Sequence, residues 1–265
     1  MGSQKVLYDV MKHPEWIPPH SEQWYKQLGT EIGEYNYPWK SQFAEPTAAM
    51  ILAERISKYV GKNTRILDIG CGHGEFTYQW AAKAKEVVGI DVINGFIETA
   101  NKNKPTNSIR FLNVHADEKL PFPDRYFDLV YTKKGPWLYE EASRITKPGG
   151  IIIGLFHGGT DGGLRRQFPG LYHPLPVNPF DLELIKNNYK MNELTDLDIE
   201  VIEEVEYLST PEDILIKKCF GQSQTLKNVA WQKCLKDVEE IFDKNATSKG
   251  LKVINYHHLI IIRNK

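Results

Sequence analysis

The chain has 265 residues, of which 41% are hydrophobic and 25% are charged, and its formal net charge is −1. This composition is typical of a globular protein with one large domain, or with one domain and a sizeable insertion. Because 33 basic residues stand against 34 acids, no overall charge favours nucleic acid or a membrane surface as a partner.

Cysteine usage and hydropathy indicate the environment of the protein. Cys71, Cys219 and Cys234 are an odd, scattered set without metal-binding spacing, which is typical of a reducing cytosol rather than of a disulfide scaffold. No apolar run is long enough to span a membrane, and the N-terminus lacks the charged-then-apolar pattern of a signal peptide. We therefore expect a cytoplasmic protein with no membrane partner and no metal site.

The first predicted segment is an aromatic arm at residues 1–44. Residues 13–43 are dense in Trp, Tyr and Pro without a regular period, which predicts a segment that wraps over a surface, with a short helix near residues 21–28. It is either a packing arm over neighbouring helices or a lid that walls a substrate pocket, because aromatic side chains supply large contact area. In the second case Tyr25 and Tyr37 are candidate substrate contacts.

A helix is expected to open at Glu45-Pro46, and a glycine-rich stretch follows at residues 65–74. That stretch reads Arg-Ile-Leu-Asp-Ile-Gly-Cys-Gly-His-Gly, which predicts a buried strand and then a turn. From Glu75 the apolar spacing is helical and continues to Ala84. Strand, glycine turn and helix together are typical of the first unit of a nucleotide-binding α/β sheet, although a tight packing turn remains an alternative.

The next strand, Glu86 to Asp91, ends in an acid, which in this architecture accepts hydrogen bonds from ribose hydroxyls. The third glycine of the turn comes one residue earlier than in the dinucleotide fingerprint, which disfavours a pyrophosphate ligand. Further apolar patterns predict five more strands, at residues 108–114, 127–132, 151–156, 199–208 and 253–262. Helices are predicted near residues 96–101, 137–145, 181–189, 211–220 and 225–242.

Four motifs occur together in one order: Leu-Asp-Ile-Gly-Cys-Gly-His-Gly, Gly-Ile-Asp, Leu-Pro-Phe-Pro-Asp-Arg-Tyr-Phe-Asp-Leu-Val and Lys-Pro-Gly-Gly. Their order and spacing over residues 45–157 resemble the class I S-adenosylmethionine-dependent methyltransferases, and most of all the type-11 group. A dehydrogenase would account for the first two motifs alone. The resemblance implies S-adenosylmethionine as cofactor and S-adenosylhomocysteine as product.

The resemblance also implies a fold. We expect a Rossmann-like, seven-stranded, mostly parallel sheet with an antiparallel last strand. The methyltransferase domain would span residues 45–265 and include an irregular loop at residues 158–178. A helical insertion at residues 209–248 would form a cap or a dimer surface.

The resemblance assigns cofactor contacts residue by residue. Asp68 and the backbone of Gly70, Cys71 and Gly72 would hold the methionine end, where Thr132 would also lie. Asp91 would bind the ribose hydroxyls and Val92 would pack on the adenine. The adenine amine would meet Asp117 or Glu118. The family acid stands four residues before its Leu-Pro-Phe, where this chain has Ala116, so the choice between the two acids stays open.

Candidates for acceptor binding follow the fourth and fifth core strands. Lys133 and Lys134 would contact an anionic acceptor or simply form a solvated loop. Arg165 and Arg166 would bind a carboxylate or phosphate, or lie on the surface. His157 follows a strand end and is a candidate base, with a turn histidine as the alternative.

The sequence therefore predicts an enzyme that moves a methyl group to oxygen or nitrogen of a small-molecule acceptor. The transferred methyl is already activated, so the protein must chiefly align the acceptor and take or tolerate a proton. The alternatives are an RNA methyltransferase, which would want a coherent basic face, and a cofactor-binding partner or regulatory subunit without turnover. Residues 132–137 lack the Asn/Asp-Pro-Pro-Tyr pattern of nucleobase amino-group methyltransferases. The acceptor and the oligomeric state are not specified.

Overall fold

The computed structural model describes residues 5–115, 119–159, 162–173, 178, 181–191, 194 and 196–265. Its strands are β1 Ser41–Phe43, β2 Arg65–Ile69, β3 Glu86–Asp91, β4 Ile109–Asn113, β5 Phe127–Lys133, β6 Thr146–His157, β7 Leu197–Leu208 and β8 Leu251–Arg263. Its α-helices are α1 Glu22–Glu31, α2 Ala48–Ser57, α3 Glu75–Tyr78, α4 Asn94–Asn103, α5 Tyr139–Ile145, α6 Leu164–Gln167, α7 Leu182–Asn188, α8 Pro211–Lys218 and α9 Gln224–Asn245.

The strands form an eight-stranded sheet in the order β1-β7-β8-β6-β5-β2-β3-β4. Strands β4, β3, β2, β5 and β6 are parallel, whereas β8 pairs antiparallel with both β6 and β7. The Rossmann-like, mostly parallel fold with an antiparallel last strand is therefore confirmed. The sheet has eight strands rather than seven, because the arm contributes β1, which pairs antiparallel with β7. Three residues are too few to show a strand period in the sequence.

The central strands are buried on both faces, which explains why their sequences are apolar throughout. Successive residues point to opposite faces. Ile66 and Val87 therefore join a core on one side of the sheet, while Leu67 and Val88 join a core on the other. A third core forms where α8 and α9 pack with the N-terminal segment around Leu7.

Two predicted helices differ from the structure. The helix expected at Glu45-Pro46 begins at Ala48, because the side chain of Thr47 accepts a hydrogen bond from the N–H of Met50 (3.2 Å) and so caps that end. The helix expected over residues 75–84 ends at Tyr78. Beyond it the backbone continues mainly in tighter turns, as in the bond from the N–H of Ala81 to the carbonyl of Tyr78.

The arm is packed onto the rest of the protein at two places. Helix α1 lies against α4, where a side chain at Gly95 would collide with the backbone of Gly29. The loop after α8 holds the arm by hydrogen bonds: Trp24 Nε1 donates to the carbonyl of Phe220 (2.9 Å), and Gln222 exchanges two bonds with the backbone of Ile17. Within the described ranges, the helices are all too short or too polar to cross a lipid bilayer.

Candidate functional site

The order of the parallel strands reverses between β2 and β5, and ligands of open α/β sheets bind in the crevice at such a point. The loops that leave these two strands touch each other. A side chain at Gly70, where φ is +74°, would lie 3.0 Å from Gly135 Cα, and one at Gly135 would lie 2.7 Å from the carbonyl oxygen of Ile69. Glycine is therefore required where the two loops meet.

Asp68 lies on β2 beside this crevice, and only 2% of it is exposed. Its Oδ2 accepts hydrogen bonds from Thr77 Oγ1 (2.7 Å) and from the hydroxyl of Tyr131 (2.8 Å). Its Oδ1 is buried and has no hydrogen-bond partner in the described part of the chain. Burial raises the pKa of this carboxyl to about 6, against the lowering effect of the two hydroxyls. An unpaired, mostly ionised oxygen at neutral pH fits the ammonium group of an amino-acid ligand.

The glycine turn is closed by its own hydrogen bonds. The N–H groups of Gly70 and Cys71 both donate to the carbonyl of Ile90. The N–H of Gly72 donates to Asp91 Oδ2 (2.9 Å). The N–H of Gly74 donates to the carbonyl of Cys71. These amides are therefore not available to cradle a pyrophosphate, which agrees with the early third glycine. A carbonyl oxygen can accept a second hydrogen bond, so the carbonyls of the turn suit a cationic ammonium group.

Asp91 ends β3 and is fixed from two sides. Besides the bond from Gly72, its Oδ1 accepts from the N–H of Ile93 (2.9 Å). Burial raises the pKa of Asp91 while these backbone bonds lower it. Each carboxylate oxygen can accept a further bond, so the pair of oxygens can receive two ribose hydroxyls. Val92 is partly buried in the aromatic cluster that includes Phe96. Asp117 and Glu118 lie outside the described residues.

The arm reaches this acid and the glycine turn. The N–H of Tyr35 donates to His73 Nδ1 in the turn (3.1 Å). Tyr35 also contacts Tyr25 and Tyr37, with ring centroids 5.9 Å and 5.6 Å apart. Burial raises the pKa of Tyr25 to about 12, and the charge on Asp91 contributes to the shift. The two predicted tyrosines therefore lie together near Asp91, and the sequence analysis missed Tyr35 between them.

The two lysines at the end of β5, Lys133 and Lys134, have different surroundings. Lys133 Nζ lies 4.7 Å from the ring centre of Phe76, and the charge on Asp68 partly offsets the lowering of its pKa by burial. Lys134 has a left-handed backbone, with φ of 62°. Burial lowers the pKa of Lys134 to about 8, against the opposing charge of Glu204. Thr132 is buried and accepts a bond from the N–H of Gly135 (3.1 Å), which shapes this loop.

His157 ends β6 opposite His257 on β8, with ring centroids 5.1 Å apart. Although the residue is accessible to solvent, crowding by the surrounding protein and the charges on Lys134 and His257 lower its pKa well below 6.5. Its imidazole is therefore neutral at neutral pH. The structure thus brings together His157 and Lys134, which the sequence named separately.

Buried polar residues on β7 and β8 complete this cluster. Glu204 Oε2 lies 3.0 Å from His257 Nε2, and its Oε1 accepts from the N–H of Ala48 (2.8 Å). Glu206 binds Lys217, Asn255 and the indole of Trp39 at 2.8–3.0 Å.

The sequence analysis missed these residues, although strand periodicity carried the signal. Glu204 and Glu206 are in phase with the buried Ile202 and Leu208, and Asn255 and His257 are in phase with Val253 and Leu259.

Arg165 and Arg166 belong to a different part of the molecule. They lie on α6, whose Leu164 is buried in the core formed by α8, α9 and the N-terminal segment. Arg166 lines a separate cleft with Lys5 and Asp237, a set that includes none of the residues described above. In the portions of the chain that are described, no group of three or more His, Cys, Asp or Glu side chains is placed to hold a metal ion.

Comparison with known proteins agrees with this geometry. Residues 67–154 match the family model of the methyltransferase domain. The chain is 31% identical over 112 residues to a malonyl-[acyl-carrier protein] O-methyltransferase of Erwinia pyrifoliae, which covers 40% of this chain and 41% of that protein. It is 32% identical over 128 residues to the ubiquinone/menaquinone biosynthesis C-methyltransferase UbiE of Neisseria gonorrhoeae. That match covers 44% of this chain and 48% of that protein.

The structural comparison extends further along the chain. A functionally unknown protein from Deinococcus radiodurans R1 aligns with 92% of this chain and 100% of its own, with a TM-score of 0.60 and 17% identity, so the two share a fold. The chain spans less than half the length of each curated relative named above. The family match covers the glycine turn, Asp91 and the chain from Leu67 in β2 to Gly154 in β6. Residues 67–154 therefore match the methyltransferase domain, and over this segment the chain is similar to methyltransferases that use S-adenosylmethionine as cofactor.

Proposed function

We propose that this protein transfers the methyl group of S-adenosylmethionine to an oxygen or nitrogen atom of a small-molecule acceptor. One observation carries the proposal: Asp68 and Asp91 lie at the carboxyl ends of β2 and β3, and Lys134 and His157 lie at the same edge of the sheet, at the ends of β5 and β6. A donor site and a polar acceptor site therefore meet where the fold binds ligands.

The donor side is assigned from the free hydrogen-bonding capacity of the chain. Asp68 Oδ1 binds the α-ammonium group, with the glycine-turn carbonyls beside it. Asp91 binds the ribose hydroxyls, and Val92 packs on the adenine. Thr132 shapes the wall near the methionine end. When bound, S-adenosylmethionine supplies a methyl group on a sulfonium, so the protein needs no further group to activate it.

The acceptor side must align a nucleophile and handle its proton. A ring nitrogen of neutral His157 takes the proton of an acceptor hydroxyl or amine. Tyr25 and Tyr37 form an aromatic wall, which supports assigning residues 1–44 as a lid segment on a domain spanning residues 45–265. Helices α8 and α9, within residues 209–248, hold that lid through the loop between them, and in this proposal they act as a cap.

The names of the relatives do not transfer an acceptor to this chain. One is named for an O-methylation on an acyl-carrier protein and the other for a C-methylation in quinone biosynthesis, and function resides in sites rather than in folds. The net charge of −1 gives no support to an RNA acceptor.

Release of S-adenosylhomocysteine tests the proposal. The protein is incubated with S-adenosylmethionine and either pooled small metabolites or total RNA, and calorimetry with S-adenosylhomocysteine is run in parallel. Release with metabolites alone supports a small-molecule methyltransferase. Release with RNA alone contradicts it, and cofactor binding without release from either pool identifies a non-catalytic partner.

A further inference from the structure

Among the described residues, the charged groups of the cluster around His157 have direct hydrogen-bond partners, with one exception. Glu206 pairs with Lys217 at 2.9 Å, and Glu204 is bonded to His257 and to the backbone of α2. Lys134 lies in the same cluster, close enough for its pKa to respond to both glutamates, yet across the described ranges its ammonium group has no ion pair or hydrogen bond. Because Lys134 contacts no anion directly, its burial costs solvation free energy that the charges of Glu204 and Glu206 offset only in part.

The backbone places this cation between the donor and the proposed base. The N–H of Lys134 donates to the carbonyl of Leu155 on β6, two residues before His157 (2.7 Å). The next residue, Gly135, packs on Gly70 of the cofactor turn. A non-glycine residue at φ of 62° costs conformational energy, and such residues cluster at functional sites. Lys134 is thus held in a strained conformation where donor and acceptor would meet.

We propose that the acceptor carries an anionic oxygen group, a carboxylate or a phosphate, that pairs with the ammonium group of Lys134. The inference rests on the proposed methyl transfer, because it concerns the acceptor of the same site. Two other nearby lysines are occupied: Lys133 lies over the ring of Phe76, and Lys217 is paired with Glu206.

Such an acceptor would also adjust the proposed base. The positive charge on Lys134 is one cause of the low pKa of His157. An anion paired with Lys134 offsets that charge, so the pKa of His157 rises toward neutrality when the acceptor binds. The other ionisable groups whose charges act on the pKa of Lys134 or of His157 are Lys133, Glu204, Glu206, Lys217, His20 and His257. The site would then hold its strongest base only with an anionic acceptor in place.

The test measures Lys134 directly and needs no turnover. Lysines of the S-adenosylhomocysteine-bound protein are reductively methylated with ¹³C and titrated by NMR, with Lys134→Met to assign the signal. Inorganic phosphate, benzoate or neutral benzamide is added at constant ionic strength. The matched control is Lys58, which pairs with Glu54 on the outer side of α2.

Phosphate or benzoate is expected to raise the pKa of Lys134 by about 1, the effect of a close opposite charge, and to leave Lys58 unchanged. Benzamide should change neither. A response to phosphate alone or to benzoate alone selects the phosphate or the carboxylate class. No response to either anion, or an equal response at Lys58, overturns the inference. Failure of methyl transfer itself would appear separately, as absent S-adenosylhomocysteine release.

Discussion

His257 Nε2 lies 3.0 Å from Glu204 Oε2, and both side chains are buried on the adjacent strands β7 and β8. Burial alone would raise the pKa of Glu204, but the bonds from His257 and from the N–H of Ala48 outweigh it and lower that pKa to about 2. An ionised carboxylate can only accept, so His257 Nε2 carries the proton. The pair thereby fixes one tautomer of the histidine that faces His157.

Replacing Glu204 by Gln should destabilise the protein by about 2 kcal/mol at neutral pH, because a charge-assisted buried bond is lost. The folded pKa of Glu204 lies below its ordinary value of 4.5. The stabilisation that ionised Glu204 provides is therefore complete above about pH 4.5, and it is lost as the pH falls toward 2. Urea unfolding across this range measures the effect.

The control for that measurement is Glu203→Gln, the exposed neighbour on β7. It should stay within about 0.5 kcal/mol of the wild type. If the difference in free energy of unfolding between Glu204→Gln and the wild type does not narrow toward low pH, the ionic contribution of this pair is contradicted.

Asp68→Asn should have opposite effects on the stability of the protein and on its affinity for the cofactor. The pKa of Asp68 is raised from 3.8 to about 6. The folded state therefore favours the protonated form, and the wild type loses stability as the pH rises from about 4 to about 6. Removing the charge should stabilise the ligand-free protein by about 1 kcal/mol or more at neutral pH, while weakening binding of the cofactor ammonium by about 1–3 kcal/mol.

Thermal unfolding without ligand and calorimetry with S-adenosylhomocysteine measure these two effects. Unchanged affinity would mean that Asp68 Oδ1 does not meet the ligand. Thr77→Val tests the same carboxylate differently, since it removes one hydrogen bond to Asp68 Oδ2 and keeps the charge.

Asp91→Ala should weaken binding of S-adenosylhomocysteine by about 1–3 kcal/mol, because two ribose hydroxyls lose their acceptor. Part of this loss would come from the glycine turn, since the N–H of Gly72 loses its acceptor as well. Calorimetry against Asp198→Ala, an exposed aspartate on β7, measures the effect. An unchanged dissociation constant would exclude Asp91 as the ribose ligand.

The sequence predicted the parallel half of the sheet closely. Strands such as Arg65–Ile69 and Glu86–Asp91 have the predicted ends, because apolar runs bounded by glycine or acid leave little choice. Asp68 and Asp91, which we propose as cofactor contacts, could be named from the sequence because their motifs are local in the chain.

The grouping of Lys134 and His157 with Glu204 and His257 could not be predicted in the same way, because these residues come from distant elements. Glu204, His257 and Lys134 meet only after β8 inserts between β6 and β7, and no spacing in the sequence expresses that arrangement. The alternation of β7 placed its glutamates in the buried phase, yet burial alone would not have identified their partners.

The arm should respond to ligand only near the glycine turn. The bonds of Trp24 and Gln222 anchor it to the rest of the protein, so residues around them should stay protected. Residues 33–37 have no regular structure, and the N–H of Tyr35 is bonded to His73. Hydrogen exchange with and without S-adenosylhomocysteine should show new protection in this segment and none in α9. Equal protection in both states would mean that the arm only packs on the protein and does not respond to the ligand.

The last prediction concerns the proton of the acceptor. His157→Gln should lower kcat by about 10²-fold, because no neutral imidazole remains to take that proton, and should leave affinity for S-adenosylhomocysteine nearly unchanged. The pKa of His157 lies below its ordinary 6.5, so the acidic limb of the wild-type kcat/KM profile, which reports the enzyme before the acceptor binds, should fall below pH 6.5. The assay is S-adenosylhomocysteine release with the acceptor found in the metabolite pool. The control is His173→Gln. His173 contacts Asp9, a residue that is distant from it in the sequence. If kcat of His157→Gln stays within about threefold of wild type, alignment of the acceptor suffices for transfer, and His157 is only a residue at the end of a strand.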